Sequence, residues 1–264
     1  MKTIAIQITN IREEDLLADK EALQSIGVDP ICFGLIPFEN EIIQAKDFER
    51  FDEVIPFGSV KIVRLWKAGH LPANAKIFYG CYDNFDQRFY SGKLRTLLLN
   101  FPAGYCRLGE IKERLFGGSA FVKPVNDLKA FAGIIVAEGE RISDRLAAGT
   151  QDSSLTDNEP ILVAPLRPII REYRSFIVDG RVIDSCAYKF GGMVKWAAAS
   201  QDEKAELLAY HEEVSEKYRP GRTYVMDTAR LPSGELKVIE YNCLNCSGKY
   251  ACDRAAIYRS VLAE

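Results

Sequence analysis

Residues Tyr224–Asn242 read Y-V-M-D-T-A-R-L-P-S-G-E-L-K-V-I-E-Y-N, two apolar-rich runs around Pro232-Ser233-Gly234 with acids set inside the runs. A two-residue turn centred on Ser233 and Gly234 makes this a β-hairpin and places Asp227 opposite Glu240. Asn242 then projects on the same face as Glu240, because side chains alternate along a strand. Two opposed carboxylates repel, at a cost of roughly 0.2 to 1 kcal/mol even when exposed and more when buried. The pattern therefore calls for a positive partner between them. Two carboxylates and an amide are hard oxygen ligands, which suit Mg²⁺ beside nucleotide phosphates better than zinc or copper. The competing reading is a solvated hairpin face with scattered acids, and a three-residue loop would shift the register on which the pairing depends.

Working outward, a second hairpin is signalled by Asp179-Gly180 within I-I-R-E-Y-R-S-F-I-V-D-G-R-V-I-D-S-C-A-Y. Uniform alternation from that turn places Glu172, Arg174, Ser185 and Lys189 on one face and Arg171, Tyr173, Cys186 and Tyr188 on the other. A helix from Asp202 to about Tyr218, with Leu207, Leu208, His211, Val214 and Tyr218 near one stripe, covers one side of this sheet. Upstream, F-V-K-P gives a strand carrying Lys123, kept extended by Pro124. The preceding I-K-E-R-L-F-G-G reads as a helix ending at Gly117 or Gly118. From Ala137 to Glu159 the sequence turns polar, as a lid or as a tolerated surface insertion.

The chain opens as β then α: a strand over Lys2 to Ile8, an Asn10 cap, and a helix from Glu13 to about Ser25 ended by Gly27. Further strands are expected at Ile31 to Ile36, Glu53 to Phe57 and Lys76 to Tyr79, with a helix ending at Gly69 and another over Phe89 to Leu99. An α/β layer results, and Pro102 and Gly104 mark a boundary after it.

At 264 residues, 47% hydrophobic and 27% charged, the chain has no stretch near the roughly 18 apolar residues of a membrane span. The first residues lack a long apolar core and run into Arg12, Glu13, Glu14 and Asp15, so no secretory signal is expected. Seven cysteines without regular spacing fit reduced thiols and a cytoplasmic location. The net charge of −3 disfavours a broad nucleic-acid surface. Neither G-x-x-x-x-G-K-[ST] nor G-x-G-x-x-G after a strand occurs. With His70 and His211 alone, histidine-based triads and zinc-peptidase motifs have little material. Cys243-Leu-Asn-Cys246, with Cys252 nearby, has knuckle spacing but no obvious fourth ligand, so small buried cysteines are the preferred reading. Three strand segments thus carry ionic groups at interior positions: Lys123, the Glu172/Arg174/Lys189 set, and the Asp227/Glu240/Asn242 set. Taken singly, each has a plain explanation as a snorkelling lysine or a surface ion pair. Together, cations plus metal-binding acids describe a polyphosphate site.

F-V-K-P, R-E-Y-R-S-F-I-V-D-G-R-V-I, the Asp227 strand with V-I-E-Y-N, and S-G-K-Y resemble the ATP-grasp superfamily over roughly Phe121 to Tyr250, most closely a clade of small bacterial and phage proteins. The resemblance implies an α/β pre-ATP-grasp N-terminal domain (1–95) followed by two α+β ATP-grasp subdomains, A (96–163) and B (164–264), that clamp ATP. It implies ATP- and Mg²⁺-dependent ligation of a small-molecule or peptide carboxylate to an amine through an acylphosphate. Alternatives are an ATP-grasp-type kinase and a non-catalytic nucleotide-binding module. By the same resemblance Lys123 contacts the nucleotide phosphates, Glu172 the ribose or adenine side, and the hinge Val163, Ala164 and Leu166 the adenine through backbone groups. Asp227, Glu240 and Asn242 match the Mg²⁺ ligands, with Asp227 also beside the nucleotide. Arg174 and Lys189 fit as acylphosphate stabilisers. The chain departs from better-known members in having no Gly/Ser-rich loop after Lys123 and Val225 where an arginine stands two residues before the acid. Arg171, Arg174, Arg230 or Lys129 are the candidates to substitute. Asp227→Asn or Glu240→Gln is expected to weaken Mg·ATP binding while leaving the fold intact, or stabilised by relief of repulsion.

Overall fold

In a computed structural model of the chain, residues 1–36, 39–80, 82–128, 130–148 and 155–264 are described, apart from the side chains of 82 and 83. The N-terminal run forms β1 (Lys2–Gln7), whose Ile4, Ala5 and Ile6 are buried on both faces, as a central parallel strand requires. With β2 (Ile31–Leu35), β3 (Ile42–Ile43) and β4 (Glu53–Phe57) it makes a sheet of order β3-β2-β1-β4 in which β1 runs parallel to β2 and β4. The helices are α1 (Glu13–Ser25) and α2 (Lys61–Lys67), the latter closed by Gly69 at φ 74°. Two expectations change. Asn10 lies two residues before the flanking Arg12, which itself gives no side-chain cap, and Lys76 to Tyr79 forms no strand, only Ala75 bridging Val54.

The connecting helix α3 (Gln87–Leu94) is shorter than expected and ends in a 3-10 turn at Arg95–Leu97. A four-stranded sheet of order β5-β8-β6-β7 follows, from β5 (Gly104–Arg107), β6 (Ala120–Pro124), β7 (Ile134–Val136) and β8 (Pro160–Pro165). The helix expected before Gly117 is one turn, α4 (Leu108–Ile111). The polar stretch after Ala137 contains α5 (Ile142–Ala147), whose Ile142 and Leu146 pack under the sheet with Val122 and Val136; residues 149–154 lie outside the described ones.

The last sheet has order β11-β10-β9-β12-β13, from β9 (Arg171–Val178), β10 (Arg181–Phe190), β11 (Met193–Ala198), β12 (Tyr224–Arg230) and β13 (Leu236–Asn242). One face packs Tyr173, Ile177, Met226 and Tyr241 against α3 and against α6 (Gln201–Lys217). On α6, Leu207, Tyr210, His211 and Val214 are buried while Leu208 is exposed, because the stripe runs through Tyr210 instead. The other face is apolar at one end, where Phe176, Val178 and Val225 meet Ile4, Phe57 and the closing helix α7 (Arg254–Ala263). Its other end is ionic. The loop between β12 and β13 holds three residues, not two: Leu231 N donates to Glu235 O and Gly234 takes φ 89°. The register shift this causes is undone by a bulge at Ile239, so Asp227 still faces Glu240 and Val225 faces Asn242.

Candidate active site

The ionic end of the last sheet faces β6 across a cleft of about 650 Å³. Every predicted ionic residue except Asn242 lines it: Lys123 from β6, Glu172 and Arg174 from β9, Lys189 from β10, Asp227 from β12 and Glu240 from β13. Asn242 is buried directly behind, its amide nitrogen donating to Asp227 at 3.2 Å and to Glu240 at 3.4 Å. Apolar side chains line the same cleft: Phe121, Ile135, Leu166 and Ile239. Of the hinge residues, Leu166 lines the cleft. Val163 and Ala164 do not; Ala164 packs with Val125 and Leu162, and Val163 lines a shallow groove with Tyr105 and Ile111.

The three acids and three cations pair one to one. Arg174 grips Asp227 in a fork, Nε to Oδ1 at 2.8 Å and Nη2 to Oδ2 at 2.7 Å, with both side chains almost fully buried. Lys123 reaches across the cleft to Glu240 at 2.5 Å, and Lys189 meets Glu172 at 3.2 Å. The positive partner demanded by the opposed carboxylates is therefore supplied twice, from β9 and from the facing sheet. Burial works against the Arg174 charge, but the Asp227 carboxylate outweighs it and holds the guanidinium well above its ordinary pKa. Tyr188 donates to Glu172 at 2.8 Å. Burial, then the charges of Asp227 and Glu172, raise its phenol well above the ordinary value, so it stays protonated.

Alternation from the turn assigned Tyr188 to the far face and Ser185 to the near one. Bulges at Ile183 and Tyr188 overturn both placements. Cys186 stands opposite Arg174, Ser185 bonds Ser175 at 2.8 Å, and Tyr188 joins Lys189 in the cleft. Of the proposed substitute cations, Arg171 and Arg230 point to α6, pairing with Glu203 and Glu206. Lys129 lies outside the described residues. Residues to which no role was given beforehand include Tyr250, Ile239, Phe121 and Arg167; the S-G-K-Y motif was the one available signal for Tyr250.

Among the described residues no three His, Cys, Asp or Glu side chains converge on a metal position. The available ligand set is two carboxylates and an amide, with phosphate and water left to complete an octahedron. It fits Mg²⁺ on one further ground: Asn242 Oδ1 is buried without a hydrogen-bond partner, and a cation beside Asp227 and Glu240 would satisfy it once the amide turns.

Comparison with known proteins accounts for this architecture. Over nearly its whole length the chain shares its fold with solved ATP-grasp structures. The D-cycloserine synthetase DcsG matches at 13% identity and a TM-score of 0.59, covering 99% of each chain. A RimK-domain ATP-grasp protein from Sphaerobacter thermophilus matches at 14% and 0.57, covering 97% of this chain and 98% of that one. L-amino acid ligase from Bacillus licheniformis matches at 16% and 0.57, covering 92% and 68%. No curated protein sequence matches the chain. The profile described as "ATP-grasp domain, R2K clade family 2" matches residues 105–260, and the chain belongs to that family.

Proposed function

We propose that the protein is an ATP- and Mg²⁺-dependent carboxylate–amine ligase that works through an acylphosphate. The observation that carries this reading is the cleft itself, in which three paired cations and acids line the same cavity as the apolar side chains of Phe121, Ile135, Leu166 and Ile239. Phe121, Ile135, Leu166 and Ile239 would sandwich the adenine, and Glu172 would meet the ribose. Lys123, Lys189 and Arg174 would hold the phosphates and the transferring phosphoryl group. Asp227, Glu240 and Asn242 would hold the metal, which supplies charge neutralisation on the phosphoryl oxygens. On binding, the phosphates would take Lys123, Lys189 and Arg174 from their acid partners, leaving Asp227 and Glu240 free to hold the metal. Fixed charges around a shielded phosphoryl group lower the barrier because they need no reorganisation during transfer.

The substrates are read as a small-molecule or peptide carboxylate and an amine. A cytoplasmic setting is supported by free thiols at the six described cysteines and by the lack, among described residues, of a helix long and apolar enough to cross a membrane. Calorimetric titration of ATP with and without Mg²⁺ tests the nucleotide site, with Glu240→Gln as control. Magnesium-dependent binding that the variant loses is the expected result. Release of ADP that requires both a carboxylate and an amine identifies a ligase. A stable phosphorylated product formed without amine would instead make it a kinase, and binding without turnover under any substrate mixture would make it a nucleotide-binding module.

A further inference from the structure

A second cavity, of about 100 Å³, lies between the first sheet and the loop after β13, walled by Ile6, Ile11, Leu16 and Phe57 on one side and by Gly248 and Lys249 on the other. It adjoins the nucleotide cleft: Gly248 O accepts from Arg174 Nη1 at 3.1 Å, and Tyr250, two residues on, lines the cleft. Four ionised side chains border the cavity, Asp15, Asp19, Lys249 and Arg254. Arg254 holds both acids, each at 2.7 Å. Lys249 is 6% exposed, yet among the described residues its ion pair is a long 3.4 Å contact with Asp19, and its head otherwise rests over the rings of Phe57 and Tyr258. An ammonium has three donors to satisfy. Burial, opposed by Asp19, pulls its pKa down, the mark of a charge short of partners.

We infer that this cavity takes the head group of a small α-amino acid, its carboxylate on Lys249 and its ammonium on Asp19, as one of the two substrates of the ligation. Charge decides the class. Two acids and two bases leave the border neutral, so a ligand with a net charge would bury that charge uncompensated, whereas a zwitterion inserts into the stretched Lys249–Asp19 contact with each end matched. Size narrows it. Against an apolar cavity of about 150 Å³ that holds benzene, a cavity of about 100 Å³ takes on the order of four to five non-hydrogen atoms, the head group of an amino acid with at most a very small side chain.

The inference rests on the ligase reading, and the test separates the two. Glycine and alanine are titrated calorimetrically into the protein with and without Mg·ATP, alongside propionate and ethylamine, which each carry one of the two charges. Alanine is expected to bind, with propionate and ethylamine weaker by at least about tenfold, the scale of one lost charge-assisted hydrogen bond. Lys249→Met, which leaves Asp19 paired with Arg254, is expected to lose alanine by a similar factor while keeping its Mg·ATP affinity, which also reports an intact fold. Lys249→Arg restores the cation and part of the binding. Equal alanine affinity in wild type and Lys249→Met overturns the assignment, as does a wild type that binds Mg·ATP but no amino acid. Should ATP fail to bind, the ligase reading falls, and the titration without nucleotide still decides the cavity.

Discussion

Asp227 is where the proposed chemistry and the stability of this molecule meet. Relief of repulsion with Glu240 would make Asp227→Asn neutral or stabilising if the two acids stood alone. They do not, because Arg174 is buried with both of its forked donors on Asp227. Removing that carboxylate strands a buried guanidinium, which costs about 3–5 kcal/mol when one partner of a buried pair is lost. Asp227→Asn is therefore expected to lose roughly that much in denaturant unfolding as well as Mg-dependent ATP binding. Glu240→Gln should lose the nucleotide response at a smaller stability cost, about 1–2 kcal/mol, because Glu240 is partly exposed and glutamine still offers Lys123 an acceptor. Wild-type unfolding in Asp227→Asn would show that the Arg174 fork carries no net stability. Wild-type nucleotide binding in both variants would remove them from the metal site. Glu240→Gln is the cleaner probe of the metal for this reason.

Bulges set the cleft at the scale of the strand. In β10 and again in β13 an extra residue interrupts the alternation, so Tyr188 and Lys189 both line the cleft, as do Ile239 and Glu240. Each pair presents one ring or apolar group beside one charge, which a regular strand would send to opposite faces. Deleting Ile239 is expected to leave Glu240 opposite Asp227, since the register from Arg230 and Leu236 then runs through unbroken. Mg-dependence would survive. ATP affinity would fall by about tenfold, the low end of what one aliphatic side chain is worth, because Ile239 is only partly buried, as calorimetry can measure; loss of the Mg-dependence instead would show that the bulge sets the metal pair. This is also where sequence reading stopped. Alternation and turn residues located both hairpins, the Asp227–Glu240 pair, Lys123 and the opening β–α units, because those signals are local. The bulges leave no mark in composition, and the expected two-residue turn at Ser233-Gly234 reached the right pairing only because loop and bulge cancel. Long-range packing decided the rest: Arg171 and Arg230 turn to α6, whose Glu203 and Glu206 no strand pattern reveals. On α6 itself, His211 is buried against the Tyr224 hydroxyl at 2.9 Å, and burial, helped by Arg219, lowers its pKa to about 4. Its folded-state value lies below the unfolded one, so its neutral form supports stability above about pH 6.5 and that support is lost as pH falls toward about 4. This group alone is expected to contribute a decline of about 3 kcal/mol between pH 7 and 4 in wild type, and the curve should be flatter for His211→Gln. Equal pH dependence of the two unfolding curves would mean that this imidazole does not report acid stability.

Three sheets make one molecule through apolar packing, as where Ile4 and Phe57 meet Phe176 and Val225, and through a few polar groups that cross between them. Lys123 ties the four-stranded sheet to β13 through Glu240, inside the cleft that a nucleotide would fill, so that link is traded on binding. The first sheet is held elsewhere, by Asn245 in the loop after β13. Its amide donates to Pro56 O at 2.8 Å and Lys76 O at 3.1 Å and accepts from Phe78 N at 2.8 Å, all at 1% exposure. The two links act in different places, so they are separable. Asn245→Ala removes the second and leaves three backbone groups buried without partners, at about 1 kcal/mol each, or roughly 6–12 °C in Tm for about 3 kcal/mol in a domain of this size. The cleft proposed for the nucleotide is built by the other two sheets, so Mg·ATP affinity should stay near wild type in this variant. The small cavity has one wall from the first sheet and another from the loop carrying Lys249, so amino-acid binding should weaken with the docking. A variant with wild-type Tm would mean that the apolar contact of α7 with β1 holds the first sheet unaided. Joint loss of ATP and amino-acid affinity would mean that docking of the first sheet shapes the cleft as well, and the molecule would then close as a single body around both ligands.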